Sequence, residues 1–201
     1  MPIRFSPRAV RILLFAGAFL AGLASIAIVM VIVAALRSPQ VTAAAIGGPF
    51  SLVDQNGQTI TDADFKGRPF LVFFGFTHCP DVCPTTLFEV SEVLRALGSD
   101  AGGVRALFVT VDPERDTPAV LRDYLSSFDP RLVAATGSRD AVDQMLKAYR
   151  VYARKVPQEN GDYTMDHTAL VYLMDKDGRF VAPFNLKRSP EEAAADLRKY
   201  N

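Results

Sequence analysis

The chain has 201 residues, 22 of them Lys or Arg and 22 Asp or Glu, so its formal charge is zero. The first 45 residues carry four arginines and no acid, which leaves 18 basic against 22 acidic residues in the remainder, a net of −4. That balance speaks against nucleic acid as a partner, and two cysteines set four apart, Cys79 and Cys83, close too small a loop to act as a structural staple.

In chain order, the first feature is Ile12–Leu36, 25 consecutive residues without a charge. As a helix such a run exceeds the roughly 30 Å hydrocarbon core of a bilayer. Arg4, Arg8 and Arg11 precede it with no acid among them, so residues 1–11 are expected in the cytoplasm and everything after Leu36 outside it. A cleaved signal peptide is the alternative, since Ala43–Ala45 offers an A-x-A site. The run is, however, far longer than the usual h-region of about 7–15 residues. The expected organisation is a transmembrane anchor at 12–36, an Ala-rich tether at 37–48 and one folded domain at 49–201. In a bacterium this places the chain in the inner membrane as a single-pass protein with a periplasmic C-terminal domain. No cysteine stands at the end of the apolar run, which excludes lipid attachment there.

Pro49–Val53 and Gln58–Ile60 flank Asp54-Gln-Asn-Gly57 and predict a short hairpin. Phe70–Phe76 is an unbroken apolar run, the pattern of a central strand buried on both faces. Pro84 suits the first turn of a helix whose stripe is Leu87, Val90, Leu94 and Leu97, stopped by Gly98. Val104–Val111 predicts a second buried strand. Thr117-Pro118 opens a helix with Leu121, Tyr124, Leu125 and Phe128 on one face, and Leu132–Ala135 predicts a brief strand. Ser138 caps a helix striped by Val142, Met145, Leu146 and Tyr149. Residues 151–162 read as a compact loop. Ala169–Met174, the turn Asp175–Gly178 and Arg179–Pro183 predict a hairpin, and Ser189, Pro190 and Glu192 form a capping box for a final helix. Strands alternating with helices imply an α/β domain with helices on both faces of its sheet.

The cysteines fall where a central strand hands over to a helix, the usual place for chemistry in such folds. In Cys79-Pro-Asp-Val-Cys83 the i, i+4 spacing puts both sulfurs on one face if the segment turns helically. Free amides at a helix start favour thiolates. Two thiolates with an imidazole suit copper, whereas a closed structural zinc site wants four ligands. Of the two histidines, His78 adjoins Cys79 on a segment expected to be extended, which turns it away from Cys79. His167, on a loop before a late strand, can approach the cysteine loop. Asp81 and Asp166 flank these positions and read as solvated aspartates, and Met165 as a core or rim residue. Export exposes the pair to an oxidising compartment, where a free dithiol needs a metal or a reductant. Spacing alone leaves metal binding and dithiol redox chemistry evenly matched.

The segment Phe74-Gly-Phe-Thr-His-Cys-Pro-Asp-Val-Cys-Pro84 closely resembles the signature of the SCO/SenC family of copper chaperones. Val109-Thr-Val-Asp-Pro-Glu-Arg-Asp-Thr-Pro118 and Tyr163-Thr-Met-Asp-His-Thr-Ala-Leu-Val-Tyr172 match the same family in the same order. The resemblance implies a thioredoxin-like fold, a central mixed sheet flanked by helices, behind one transmembrane helix. It implies one copper ion, Cu(I) or Cu(II), on Cys79, Cys83 and His167. It also implies a role in building the binuclear copper centre of cytochrome c oxidase subunit II or another copper-accepting protein, with a copper donor chaperone upstream. Two readings follow. In one the chain is a metallochaperone that needs no catalytic residue. In the other it is a thiol–disulfide oxidoreductase, Cys79 attacking and Cys83 resolving, although the spacing is CxxxC rather than the CxxC of thioredoxin-type motifs. A thiol peroxidase is a weaker third reading. A pure dithiol exchanger has no use for His167, and a three-ligand copper site does.

Overall fold

The apolar run folds as one helix, α1 (Pro7–Leu36), in the computed structural model, which describes residues 7–36, 46–98 and 103–200. Leu14–Val31 within it is long and apolar enough to cross a membrane, and Phe15, Phe19 and Met30 are exposed. The hydroxyl of Ser25 is satisfied by the carbonyl of Ala21, 2.9 Å away. The chain divides into two units, Met1–Ala44 and Ala45–Asn201. Most of the expected tether, and the N-terminus before Pro7, lie outside the described residues.

The second unit is built on β1 (Ser51–Asp54), β2 (Thr59–Thr61), β3 (Phe70–Gly75), β4 (Arg105–Thr110), β5 (Leu132–Thr136), β8 (Val171–Met174) and β9 (Phe180–Pro183), in the sheet order β2-β1-β5-β4-β3-β8-β9. Strands β3, β4 and β5 are parallel neighbours, and β8, β9, β1 and β2 add antiparallel flanks, so the sheet is mixed. All six residues of β3 are buried, as an uninterrupted apolar strand at the centre of a two-sided sheet requires. Strand alternation sends Phe73 and Gly75 to one face and Phe74 to the other. On the first, Phe73 stacks on Phe108 of β4, which meets Tyr124 of α3 (Pro118–Leu125). On the second, Phe74 meets Tyr149, at the end of α4 (Arg139–Ala148), and Tyr172 of β8.

Helix α2 (Val82–Leu97) follows β3, carries Pro84 in its first turn and stops at Gly98, whose φ of 64° suits glycine. It packs against α5 (Pro190–Arg198). The caps read from the sequence are made: Thr117 accepts from the Val120 amide, Ser138 from that of Ala141, and Ser189 and Glu192 close a reciprocal box. The fold is the expected mixed sheet flanked by helices.

One expectation fails. The stretch 151–162 is not only a loop, because Ala153–Pro157 forms β6 and pairs antiparallel with β7 (Tyr163–His167), in a two-stranded sheet apart from the main one. Its side chains are mostly half or fully exposed, so the pairing leaves no hydrophobic period to read. His167 is accordingly the last residue of a strand rather than a loop residue.

Candidate metal centre

Between β3 and α2 the chain makes a turn rather than continuing extended, with the Cys79 amide donating to the Phe76 carbonyl at 3.3 Å. The expectation of a helical Cys79–Cys83 face is therefore corrected: Cys79 sits in the turn and only Cys83 is on the helix, at its second residue. His78 is exposed and held aside, its Nδ1 3.1 Å from the Thr77 hydroxyl. The turn, not strand alternation, is what separates it from the cysteines.

The turn is fastened from below by a buried carboxylate. Asp116, fully buried, accepts from the Thr77 amide at 3.1 Å, the Thr77 hydroxyl at 2.6 Å and the Thr110 hydroxyl at 2.5 Å. Burial pushes the Asp116 carboxyl above its ordinary range, and these donors pull the other way. The role of Asp116 was not apparent from sequence, yet a trace of it was there. Thr110 ends the buried apolar run Ala106–Val109 of β4, and a buried hydroxyl needs a partner.

Both cysteines are free thiols. Cys79 is half-buried, and its sulfur accepts from the Cys83 amide at 3.4 Å, a helix-start N–H directed at sulfur. Cys83 is fully buried, and burial pushes its thiol well up, against a smaller opposing hydrogen bond from the Phe76 backbone. The expectation that the helix start lowers the thiols fails at Cys83, where desolvation outweighs the Phe76 hydrogen bond.

The structure brings His167 to Cys83, with Nε2 3.9 Å from Sγ. Its other nitrogen, Nδ1, lies 3.0 Å from the Thr168 carbonyl. A carbonyl only accepts, so in the neutral ring Nδ1 carries the proton and Nε2 turns a lone pair toward Cys83. Phe76 meets the imidazole edge to face, with centroids 5.8 Å apart. A thiolate at about 2.3 Å and an imidazole at about 2.0 Å on one first-row ion, roughly 120° apart, place their donor atoms about 3.7 Å from each other. The Cys83–His167 pair has that spacing, and a ligating histidine ordinarily donates its other N–H to a carbonyl or carboxylate. Among the described residues no group of three or more His, Cys, Asp and Glu side chains is gathered ready to hold an ion. The preformed part is a pair, with Cys79 one hydrogen bond away. Asp81 and Asp166 are exposed, and Met165 is part of the core.

Gly75 is what lets Cys83 approach the sheet. A Cβ there would stand 2.8 Å from Cys83 Sγ and 2.7 Å from Phe108 Cε2. Gly75→Ala is expected to lower stability by about 1–3 kcal/mol through overpacking, measured by urea unfolding, and to push the Cys83 thiol off its place beside His167.

Three comparisons with known proteins bear on this site. The SCO1/SenC family model matches residues 38–201. The bovine mitochondrial SCO2 homolog is 42% identical over 168 residues, covering 82% of this chain and 63% of its own length. The human mitochondrial SCO1 homolog is 43% identical over 155 residues, covering 76% and 52%. The chain thus spans between half and two-thirds of these two relatives. The solved structure of Bradyrhizobium japonicum ScoI with copper bound is 66% identical, with a TM-score of 0.76, over 78% of this chain and 100% of that one.

Proposed function

The chain belongs to the SCO1/SenC family, and from that premise we propose that it is a membrane-anchored metallochaperone carrying one copper ion on Cys79, Cys83 and His167. Its proposed acceptor is the binuclear copper centre of cytochrome c oxidase. The observation that carries this reading is the His167 lone pair turned to Cys83 Sγ at 3.9 Å while Nδ1 is held by a carbonyl. A histidine serving only a dithiol exchanger has no reason to be so oriented. The copper-bound ScoI relative supports copper as the cargo.

Two thiolates and one imidazole favour Cu(I) and leave one side of a three-coordinate ion open. Cys79 is half-exposed and packs against the core only in part, so its side chain can swing in to complete the set. Handover then proceeds by ligand exchange: an acceptor thiolate enters on the open side as His167 leaves, and the two cysteines follow. The proposed topology has residues 1–11 in the cytoplasm, 12–36 in the membrane, 37–48 as tether and 49–201 in the periplasm, and the apolar helix and the three arginines before it support it.

A second reading has its own support. A half-exposed Cys79 beside a buried Cys83 is the arrangement of an attacking and a resolving thiol. The same domain would then reduce the cysteines of the copper-accepting protein.

The test is the copper content of the reduced full-length chain in detergent, beside its His167→Ala variant. The expected result is one copper per wild-type chain and a weakening well beyond about a hundredfold in the variant, more than loss of an outer partner brings, with unchanged circular dichroism. Undiminished affinity in the variant removes His167 from the set. Absence of copper from both, with rapid exchange of the pair against glutathione, transfers the function to the oxidoreductase reading.

A further inference from the structure

The hairpin β6–β7 delivers His167 but shares no backbone ladder with the main sheet. Something other than sheet pairing must set where its last residue stands. The loop after β4 supplies it. Arg115 donates through Nε to Asp112 Oδ2 at 2.5 Å, and through Nη1 to the Tyr163 carbonyl at 3.1 Å and to Asp162 Oδ1 at 3.3 Å. Its guanidinium lies 3.8 Å from the Tyr163 ring centroid. Tyr163 in turn donates its hydroxyl to Asp112 Oδ1 at 3.0 Å. Arg115 thus grips the first residue of β7 by carbonyl and ring, while Asp112 holds its hydroxyl. Asp112 is fully buried and the Arg115 side chain is only 17% exposed, so this is a shielded, charge-assisted cluster and not a surface ion pair.

The next residue in the chain is Asp116, which holds the Cys79 turn through Thr77. Five residues, Asp112–Asp116, therefore grip the cysteine half of the site with one end and the histidine half with the other. We infer that Arg115 is a positioning residue that sets the Cys83–His167 separation by clamping β7, and that the Asp112–Asp116 loop is the bridge between the two halves. Planarity is the reason for arginine. Stacking on Tyr163 while donating to a carboxylate and a carbonyl needs a flat fork, which lysine lacks.

Only the copper arm of the test rests on the proposed function. The first arm uses the copper-free full-length chain in detergent and reads amide hydrogen exchange by mass spectrometry. Arg115→Met keeps the unbranched stem and deletes the fork. Peptides covering Tyr163–His167 are expected to exchange about ten- to a hundredfold faster, with β3 and β4 unchanged. Tyr163→Phe, which removes one hydroxyl, serves if that variant folds poorly, and shifts the same peptides less. Unchanged exchange at 163–167, or equal acceleration in β3 and β4, overturns the clamp. The second arm is a double-mutant cycle on copper affinity. Arg115→Met is expected to weaken copper in the wild type and to add nothing in the His167→Ala background. A full, additive loss there overturns the inference. If the wild type holds no copper, the chaperone reading fails while the exchange arm still decides the clamp.

Discussion

Cys83→Ser is expected to leave the full-length chain without retained copper after dialysis, measured by elemental analysis, with affinity reduced far beyond the hundredfold that outer-sphere changes bring. The reason is position as well as type. Cys83 is the donor that already faces His167 at 3.9 Å, and its own amide donates to Cys79 Sγ. It therefore joins all three proposed ligands. A serine hydroxyl is a hard, weakly acidic donor that does not replace a thiolate for a soft ion. Cys83→Ala separates chemistry from polarity, since it buries no hydroxyl beside Gly75 and Phe108, and it is expected to lose copper equally. Cys79→Ser is expected to lose copper too, but with less effect on stability, because Cys79 is half-exposed and Cys83 is in the core. Copper retained by Cys83→Ser or by Cys83→Ala would put the ion elsewhere on the chain.

Much of the fold could be read ahead, because the informative segments declare themselves locally. Phe70–Phe76 has no polar residue to offer solvent, and Thr117, Ser138 and Ser189 are caps whose partners lie three residues on. The site could be read in part. The cysteines mark a strand-to-helix handover, but His167 lies 84 residues from Cys83; its place before a late strand made it a candidate, and the family resemblance made it the third ligand. The hairpin that carries His167 stayed hidden because Arg154, Lys155 and Pro157 are exposed. That strand is specified by its partner rather than by burial. Asp112, Arg115 and Asp116 look like an ordinary charged loop. Whether a carboxylate is solvated or fully buried depends on what folds over it, and nothing adjacent in the chain states that.

Asp116→Ala is expected to be the most destabilising single change around the site, by about 3–5 kcal/mol, a large share of the roughly 5–15 kcal/mol of a typical domain. Three donors converge on this carboxylate, and the Thr77 amide cannot rotate away as the two hydroxyls can. Each buried donor left unsatisfied costs about 1–3 kcal/mol. Asp116→Asn is expected to be milder, since its carbonyl still accepts while its NH2 opposes a donor that only a hydroxyl flip can reconcile. The two variants also differ from wild type in their pH dependence. Burial raises the Asp116 carboxyl in the folded chain, so its protonated form favours folding. That contribution is complete below the unfolded value of about 3.9 and is lost as pH rises through the raised folded value. Asn and Ala lack the titration, so their deficit against wild type is expected to widen as pH falls toward about 4, in urea unfolding at matched ionic strength. A deficit that narrows on acidification would mean that the donors, not burial, dominate at Asp116. Because Thr77 lies in the turn that ends at Cys79, the same substitutions are expected to loosen the cysteine turn. Copper retention in Asp116→Asn then falls even under conditions where the chain is fully folded.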